Sequence, residues 1–236
     1  ALTGVTERSA DEVAPFAREV RQLARYRDLL IEWSQRFNLT AMKSAAEIDR
    51  WLIGDALRML PTVDELIDRP DARLIDVGTG AGFPGLVLKI ARPELRVTLL
   101  DATNKKVTFL RAVIDDLGLQ HVEAVHGRAE ELAHDMEYRG DYDLATARAV
   151  SSTPALLEVC MPFVRPGGYG VFPKSANVGE ELATAIRVAP MLGARFARGV
   201  ALPETAALPV TRLLIFAKIG RTPTQYPRRS GLPAHE

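Results

Sequence analysis

The 236 residues carry 30 Lys and Arg against 30 Asp and Glu, giving no formal net charge, and 47% of them are hydrophobic. This balance fits one folded core with a small appendage, and it excludes a broadly basic nucleic-acid binder, so any RNA contact needs a local patch. No apolar run has bilayer-spanning length, residues 1–14 carry acids and no secretory h-region, and the single Cys160 sits among apolar neighbours. Together these predict a cytoplasmic protein with no membrane partner and a core-packing thiol.

Residues 1–70 read as a helical region. Apolar side chains recur at helical spacing through Phe16, Val20, Leu23, Tyr26, Leu29, Leu30 and Trp33, then through Ile48, Trp51, Leu52, Ala56 and Met59, with Pro61 and the Arg69-Pro70 step marking the second helix's end. Asn38 and Thr40 suit a turn between them. Trp33, Phe37 and Trp51 are expected to form the core of this region.

From 71 to 220, strands and helices alternate. RLIDV, RVTLLDA, VEAVHG, YDLATARAV and YGVFPK read as strands, with helical crossovers such as KKVTFLRAVIDDLGL and EELATAIRVAPML, the latter ended or kinked at Pro190. STPALLEVCMPFV is expected to stay helical up to a Pro166-Gly167-Gly168 turn. Repeated units of this kind predict a doubly wound α/β fold, Rossmann-like, with a mostly parallel sheet. ARFARGVAL and TRLLIFAKI follow one another without a helix, so they predict a hairpin and one antiparallel strand at or near that edge. Residues 221–236 read as a Pro-rich basic tail, extended or disordered. The three zones are read as one domain.

The informative stretch follows the first strand: Asp76-Val77-Gly78-Thr79-Gly80-Ala81-Gly82-Phe83-Pro84-Gly85. In an open α/β sheet, ligands bind beyond the carboxyl ends of the strands, and glycines there let a ligand approach the backbone. The Gly78, Gly80, Gly82 spacing is GxGxG, which fits neither the GxGxxG dinucleotide fingerprint nor a P-loop. Asp76 would repel a phosphate but suits an amino acid's ammonium. Asp101, 23 positions after Gly78 at the next strand end, suits the two ribose hydroxyls of a nucleoside, and also the N-cap of the helix starting near Asn104. An amine and an adenosine without phosphate describe S-adenosylmethionine (SAM). The adenine edge is expected against the backbone of Ala129 and Glu130.

Transfer of a methyl group from a sulfonium is an in-line displacement that needs alignment more than proton movement. Arg148, ending the fourth strand, stays protonated and is no base; it suits SAM's carboxylate, a phosphate or a base carbonyl. Lys174 ends the fifth strand. Lys105 and Lys106 are either a solvated helix start or contacts to a polyanion. In the tail, Lys218, Arg221, Arg228 and Arg229 form a candidate basic patch, which composition alone reads as solvated. His121, His126, His134 and His235 show no metal-ligand spacing, so no metal is expected.

These residues together resemble a known family. WSQRFNLTA, LIDVGTGAGFPGLVLKIARPE, LLDATNKKVTFL, GRAEEL, ARAVSS and FPKSA, spread over nearly the whole chain, are similar to the RsmG (GidB) family of class I SAM-dependent methyltransferases. That family methylates N7 of a guanine in bacterial 16S, small-subunit ribosomal RNA. The resemblance implies SAM contacts at Gly78, Phe83, Asp101, Ala102, Thr103, Ala129, Glu130 and Arg148, with S-adenosylhomocysteine as product. It also implies that Lys105, Arg148 and Lys174 line the catalytic site and that Arg228 and Arg229 contact the RNA of the small ribosomal subunit. Ser175 departs from the glycine that more often follows the lysine. A monomer is expected. The residues alone leave open a methyltransferase of a small molecule or protein, a NAD-dependent oxidoreductase and a catalytically idle SAM-binding assembly factor.

Overall fold

The computed structural model describes residues 16–148, 151–175, 178–202 and 211–229. The expectations placed on residues 1–14, on Ala149 and on His235 lie outside the described residues.

The helical region opens with α1 (Ala17–Ser34), which buries Tyr26, Leu29 and Leu30. Thr40 makes the expected turn by accepting from the Met42 amide at 3.2 Å. The next helix starts one motif later. Ser44 and Glu47 form a reciprocal capping box on α2 (Ala45–Ile48), satisfying amides that a helix start leaves unpaired. A π-helical stretch, Asp49–Gly54, then runs into α3 (Asp55–Leu57). A π turn advances side chains by a smaller angle than an α turn, so the stripe read at α spacing slips. Ile48, Leu52, Ile53, Ala56 and Met59 stay buried, whereas Trp51 is 36% exposed and does not join the core as expected. Pro61 also does not end the region. It sits in the first turn of α4 (Leu60–Leu66), where a missing N–H costs nothing.

The rest alternates as β1 (Arg73–Val77), α5 (Gly85–Ala91), β2 (Arg96–Asp101), α6 (Asn104–Asp116), β3 (Val122–His126), α7 (Ala129–Leu132), β4 (Tyr142–Thr146), α8 (Thr153–Cys160), β5 (Val164–Ser175), α9 (Gly179–Val188), β6 (Ala194–Leu202) and β7 (Thr211–Lys218). The sheet order is β3-β2-β1-β4-β5-β7-β6. Among the described residues, only β7 runs antiparallel to its neighbours β5 and β6, one place in from the edge. Strand order reverses between β1 and β4, which opens a crevice beyond their carboxyl ends.

One local boundary moves. α8 stops at Cys160, a 3-10 turn over Met161–Phe163 follows, and β5 begins at Val164. Pro162 has no amide to continue the helix. Pro166, Gly167 and Gly168 therefore lie within the strand as an irregularity, where pairing with β4 slips between Tyr142 and Leu144. A side chain at position 168 would lie 2.5 Å from the Asp143 carbonyl, so only glycine fits.

Two apolar layers flank the sheet. Tyr26, Leu30 and Ile48 pack with Leu86, Phe109 and Leu74 on one face, making the helical region part of the main core. Burying each such side chain contributes ~1.5–3 kcal/mol. Leu156, Cys160, Phe163, Phe172 and Phe216 fill the other face. Burial pushes the Cys160 thiol pKa well up, as suits a packing residue.

The tail, as far as it is described, has no strand or helix of its own but is pinned to the core. Arg139 donates to the carbonyls of Thr222, Pro223 and Tyr226, each at 3.0 Å. Lys218 donates to the Met161 and Leu192 carbonyls at 2.7 and 3.0 Å and to the Thr222 hydroxyl. Proline-rich composition predicts a chain without its own ladder; it does not reveal that another element supplies the partners.

Candidate active site

At the end of β1, Asp76 is fully buried. Its Oδ2 accepts from the Thr79 hydroxyl at 2.7 Å and from the Gly85 amide at 2.8 Å. Its Oδ1 has no hydrogen-bond partner. Burial raises the Asp76 pKa to about 6, against the lowering effects of Thr79, Gly85 and the Arg148 charge. A buried carboxylate with one oxygen left open is a socket for a cationic donor.

The loop between β1 and α5 is fixed from both sides. The amides of Gly78 and Thr79 donate to the Leu100 carbonyl at 2.8 and 3.0 Å. Gly80 donates to Asp101 Oδ2 at 2.9 Å. Gly80 and Gly82 have φ of 64° and 105°, the left-handed region that side chains resist. From α1, the Tyr26 hydroxyl donates to the Ala81 carbonyl, and its ring stacks on Phe83 with centroids 5.3 Å apart. Burial and the Asp76 charge raise the phenol's pKa, so it remains a donor. Phe83 is itself buried.

Asp101 ends β2, 5% exposed. Besides Gly80 it accepts from the Thr103 amide through Oδ1 at 2.8 Å, and Lys106 Nζ stands 3.6 Å away. Thr103, not Asp101, occupies the N-cap position of α6. Each carboxylate oxygen keeps acceptor capacity for a hydroxyl. Ala129 and Glu130 open α7 immediately beyond β3.

Across the crevice, Arg148 follows β4. Its Nη2 donates to the Trp51 carbonyl at 3.1 Å, and its Nη1 lies 3.6 Å from Asp55 Oδ2. Nη1 is buried and makes no hydrogen bond. An open carboxylate oxygen and an open guanidinium nitrogen, close enough for one charge to shift the other's pKa, form a complementary pair for a zwitterionic amino-acid group. Lys174, near the end of β5, donates to the Ser151 carbonyl at 2.7 Å and pairs with Glu181 at 2.7 Å. Burial raises the Glu181 pKa, but Lys174 and Thr153 outweigh it and hold the carboxyl below its usual range.

The crevice thus gathers Asp76, Gly78, Gly80, Gly82, Phe83, Asp101, Ala102 and Thr103 on the loop side, with Arg148 and Lys174 at the ends of the neighbouring strands. Lys105 is exposed, its Nζ 5.6 Å from the Phe37 ring centroid. Arg228 is placed elsewhere: its backbone amide and guanidinium bind Glu158 of α8 at 2.6 to 2.9 Å. Tyr26, Asp55 and Glu181 also contact these residues but carry no sequence signal, since each resembles ordinary helix composition, whereas Thr79 lies within the glycine stretch and contacts Asp76 three positions away. Among the described residues no group of His, Cys, Asp and Glu is placed to hold a metal, and no helix is long and apolar enough to cross a membrane.

Residues 19–202 match the family model described as rRNA small subunit methyltransferase G. A ribosomal RNA small subunit methyltransferase G from Alkaliphilus metalliredigens (strain QYMF) is 40% identical over 220 residues, covering 92% of this chain and 89% of its own. Its counterpart from Lachnoclostridium phytofermentans is 41% identical over 219 residues, covering 91% and 88%. Among solved structures, a mutant of MtNAS in complex with S-adenosylmethionine aligns with a TM-score of 0.56 at 14% identity, over 87% of this chain and 74% of that one. TrmN from Thermus thermophilus aligns at 0.54 and 18% identity, over 70% and 48%. At these identities the structural likeness is one of fold, the class I methyltransferase fold.

Proposed function

The chain belongs to the rRNA small subunit methyltransferase G family, and on that premise we propose that it transfers a methyl group from SAM to N7 of a guanine in 16S ribosomal RNA. The single observation that carries the cofactor half of this reading is the pair of orphaned buried atoms, Asp76 Oδ1 and Arg148 Nη1.

The residues present fit SAM. Asp76 receives the methionine ammonium, Arg148 its carboxylate, Asp101 the ribose hydroxyls, and the backbone at Ala129 and Glu130 the adenine. The glycine loop leaves its backbone uncovered for close approach. Bound there, SAM supplies an electrophilic methyl group on its sulfonium.

The acceptor nitrogen of guanine has a free lone pair, so the protein needs no general base, and Asp76 is already engaged by Thr79 and Gly85. The side chains instead orient. Lys174, held by Glu181 and Ser151, offers positive charge to the guanine O6 or a phosphate while leaving N7 free. Lys105, exposed at the start of α6, meets the RNA backbone, as does Lys106 where Asp101 leaves it free to. Arg228 serves first as the tail's anchor on Glu158, and Arg229 beside it is an exposed tail cation for the RNA. The protein acts as a monomer without a metal, in the cytoplasm, with S-adenosylhomocysteine as the product.

The test is methylation of unmethylated small-subunit RNA, free and within the subunit, with methyl-labelled SAM, followed by nucleoside mass spectrometry. Label in 7-methylguanosine at one site, lost in Arg148→Ala, supports the reading. SAM binding without label in guanosine refutes the acceptor.

A further inference from the structure

Arg148 is a strand-end residue with a long, flexible side chain, yet the group that restrains it comes from 93 positions earlier in the chain. Asp55 opens α3, directly after the π-helical stretch, with its side chain only 17% exposed. Its Oδ2 faces Arg148 Nη1 at 3.6 Å. Its Oδ1 accepts from Thr211 Oγ1 of β7 at 3.0 Å and from Arg58 Nη1 at 3.3 Å. The carboxylate therefore touches the arginine beyond β4, the first residue of β7 and its own helical turn at once.

The backbone of the same stretch completes the hold. The Asp55 amide donates to the Leu52 carbonyl, and the Trp51 carbonyl accepts from Arg148 Nη2 at 3.1 Å. One guanidinium is thus fixed by a carbonyl and a carboxylate four residues apart, a pairing set up by the irregular helix. π-helical segments recur at functional sites for this kind of reason. A carboxylate 3.6 Å from a half-buried guanidinium attracts it strongly, but at that distance it does not consume the Nη1 hydrogen bond. The arginine is held in place while its Nη1 stays unspent.

We infer that Asp55 is a positioning residue for SAM binding: it fixes Arg148 so that the open Nη1 faces the amino-acid end of the cofactor. The inference rests on the placement of Arg148 against SAM's carboxylate given above. It makes the helical region part of the binding machinery, joined to it by this carboxylate.

The experiment is a double-substitution cycle read by calorimetric SAM affinity, with no RNA present. Asp55→Asn keeps the acceptor for Thr211 and removes the charge beside Arg148. It is expected to raise the SAM Kd about tenfold in the otherwise unaltered protein and less than twofold in the Arg148→Ala background. An equal loss in both backgrounds, or no loss in either, overturns the inference. If Asp55→Asn does not fold, Thr211→Val removes one anchor of the carboxylate and leaves every charge in place. It is expected to raise the Kd two- to threefold only where Arg148 is present, and an unchanged Kd overturns the inference. An Arg148→Ala protein with unaltered SAM affinity refutes the placement of Arg148 and with it this inference. Absence of guanosine label with the cycle intact refutes only the proposed acceptor.

Discussion

Asp76→Asn separates stability from binding at a single atom. In the folded protein the Asp76 pKa is raised from 3.8 to about 6, with burial as the largest cause. A carboxyl whose folded pKa lies above its unfolded value binds protons more readily in the native state. Its charged form therefore opposes folding above pH 6, and the opposition fades as pH falls towards 3.8. The raised pKa corresponds to about 3 kcal/mol at pH 8, at about 1.4 kcal/mol per pH unit. It falls to about half that at pH 5 and to under about 1 kcal/mol at pH 4. Asparagine with its oxygen in the Oδ2 position keeps the bonds from Thr79 and Gly85 and removes the charge. The ligand-free variant is expected to melt up to about 6–10 °C above the parent at pH 8, with the difference shrinking as pH is lowered to 4. SAM affinity moves the other way. An amide nitrogen facing the methionine ammonium forfeits a charged hydrogen bond, worth about 1.5–3 kcal/mol, and weakens binding by roughly 10- to 100-fold. Differential scanning fluorimetry across pH and calorimetry with SAM read both effects. A variant that melts below the parent at pH 8, or binds SAM equally well, refutes the reasoning.

Binding an ammonium at Asp76 should lower its pKa, so SAM binding near pH 6 is expected to release protons, seen as a buffer-dependent calorimetric enthalpy that vanishes in Asp76→Asn. Gly85→Ala places a Cβ 2.7 Å from both Asp76 Cβ and Leu99 Cδ2, so it should cost about 1–3 kcal/mol of stability by chemical denaturation. Gly80→Ala meets nothing within 4 Å and carries only the strain of φ 64°, so its loss should be the smaller, about 1 kcal/mol. Arg228→Ala leaves the Glu158 carboxylate without its charged partner and should cost about 1–3 kcal/mol and speed proteolysis of the tail. Hydrogen bonds from Arg228 outweigh burial and hold the Glu158 pKa below 4.5, so the clamp's contribution is full above that pH and declines as pH falls through the lowered value.

Much of the sheet was legible because strands such as β1, β2 and β4 are short apolar runs punctuated by glycine, proline or a helix-period segment, whereas the Pro166-Gly167-Gly168 stretch hid the start of β5. RLIDV and RVTLLDA have no other reasonable reading, and the absence of a crossover between the last two strands placed β7 antiparallel. The glycine loop and Asp101 were legible because function puts rare residue types at fixed offsets from a strand end. The rest depends on contacts across long separations. Nothing near Tyr26 announces that its hydroxyl meets Ala81, 55 positions away, or that Asp55 meets Arg148. Trp51 was misplaced because an apolar period cannot report where an α-helix widens into a π turn. Arg228 looked like a free tail cation because its carboxylate partner lies 70 positions earlier.

The strand order has a consequence for how the protein is made. Among the described residues β7 is the last strand in chain order, yet it lies inside the sheet between β5 and β6. A nascent chain emerging from the exit tunnel can pair β3, β2, β1, β4 and β5 as each appears, but β6 has no seat until β7 arrives to hold it. For the interval between the emergence of Ser175 and of Lys218, β5 presents an open edge of backbone donors and acceptors. That interval is when chaperone cover matters most for this chain, and when a translational pause would most favour aggregation.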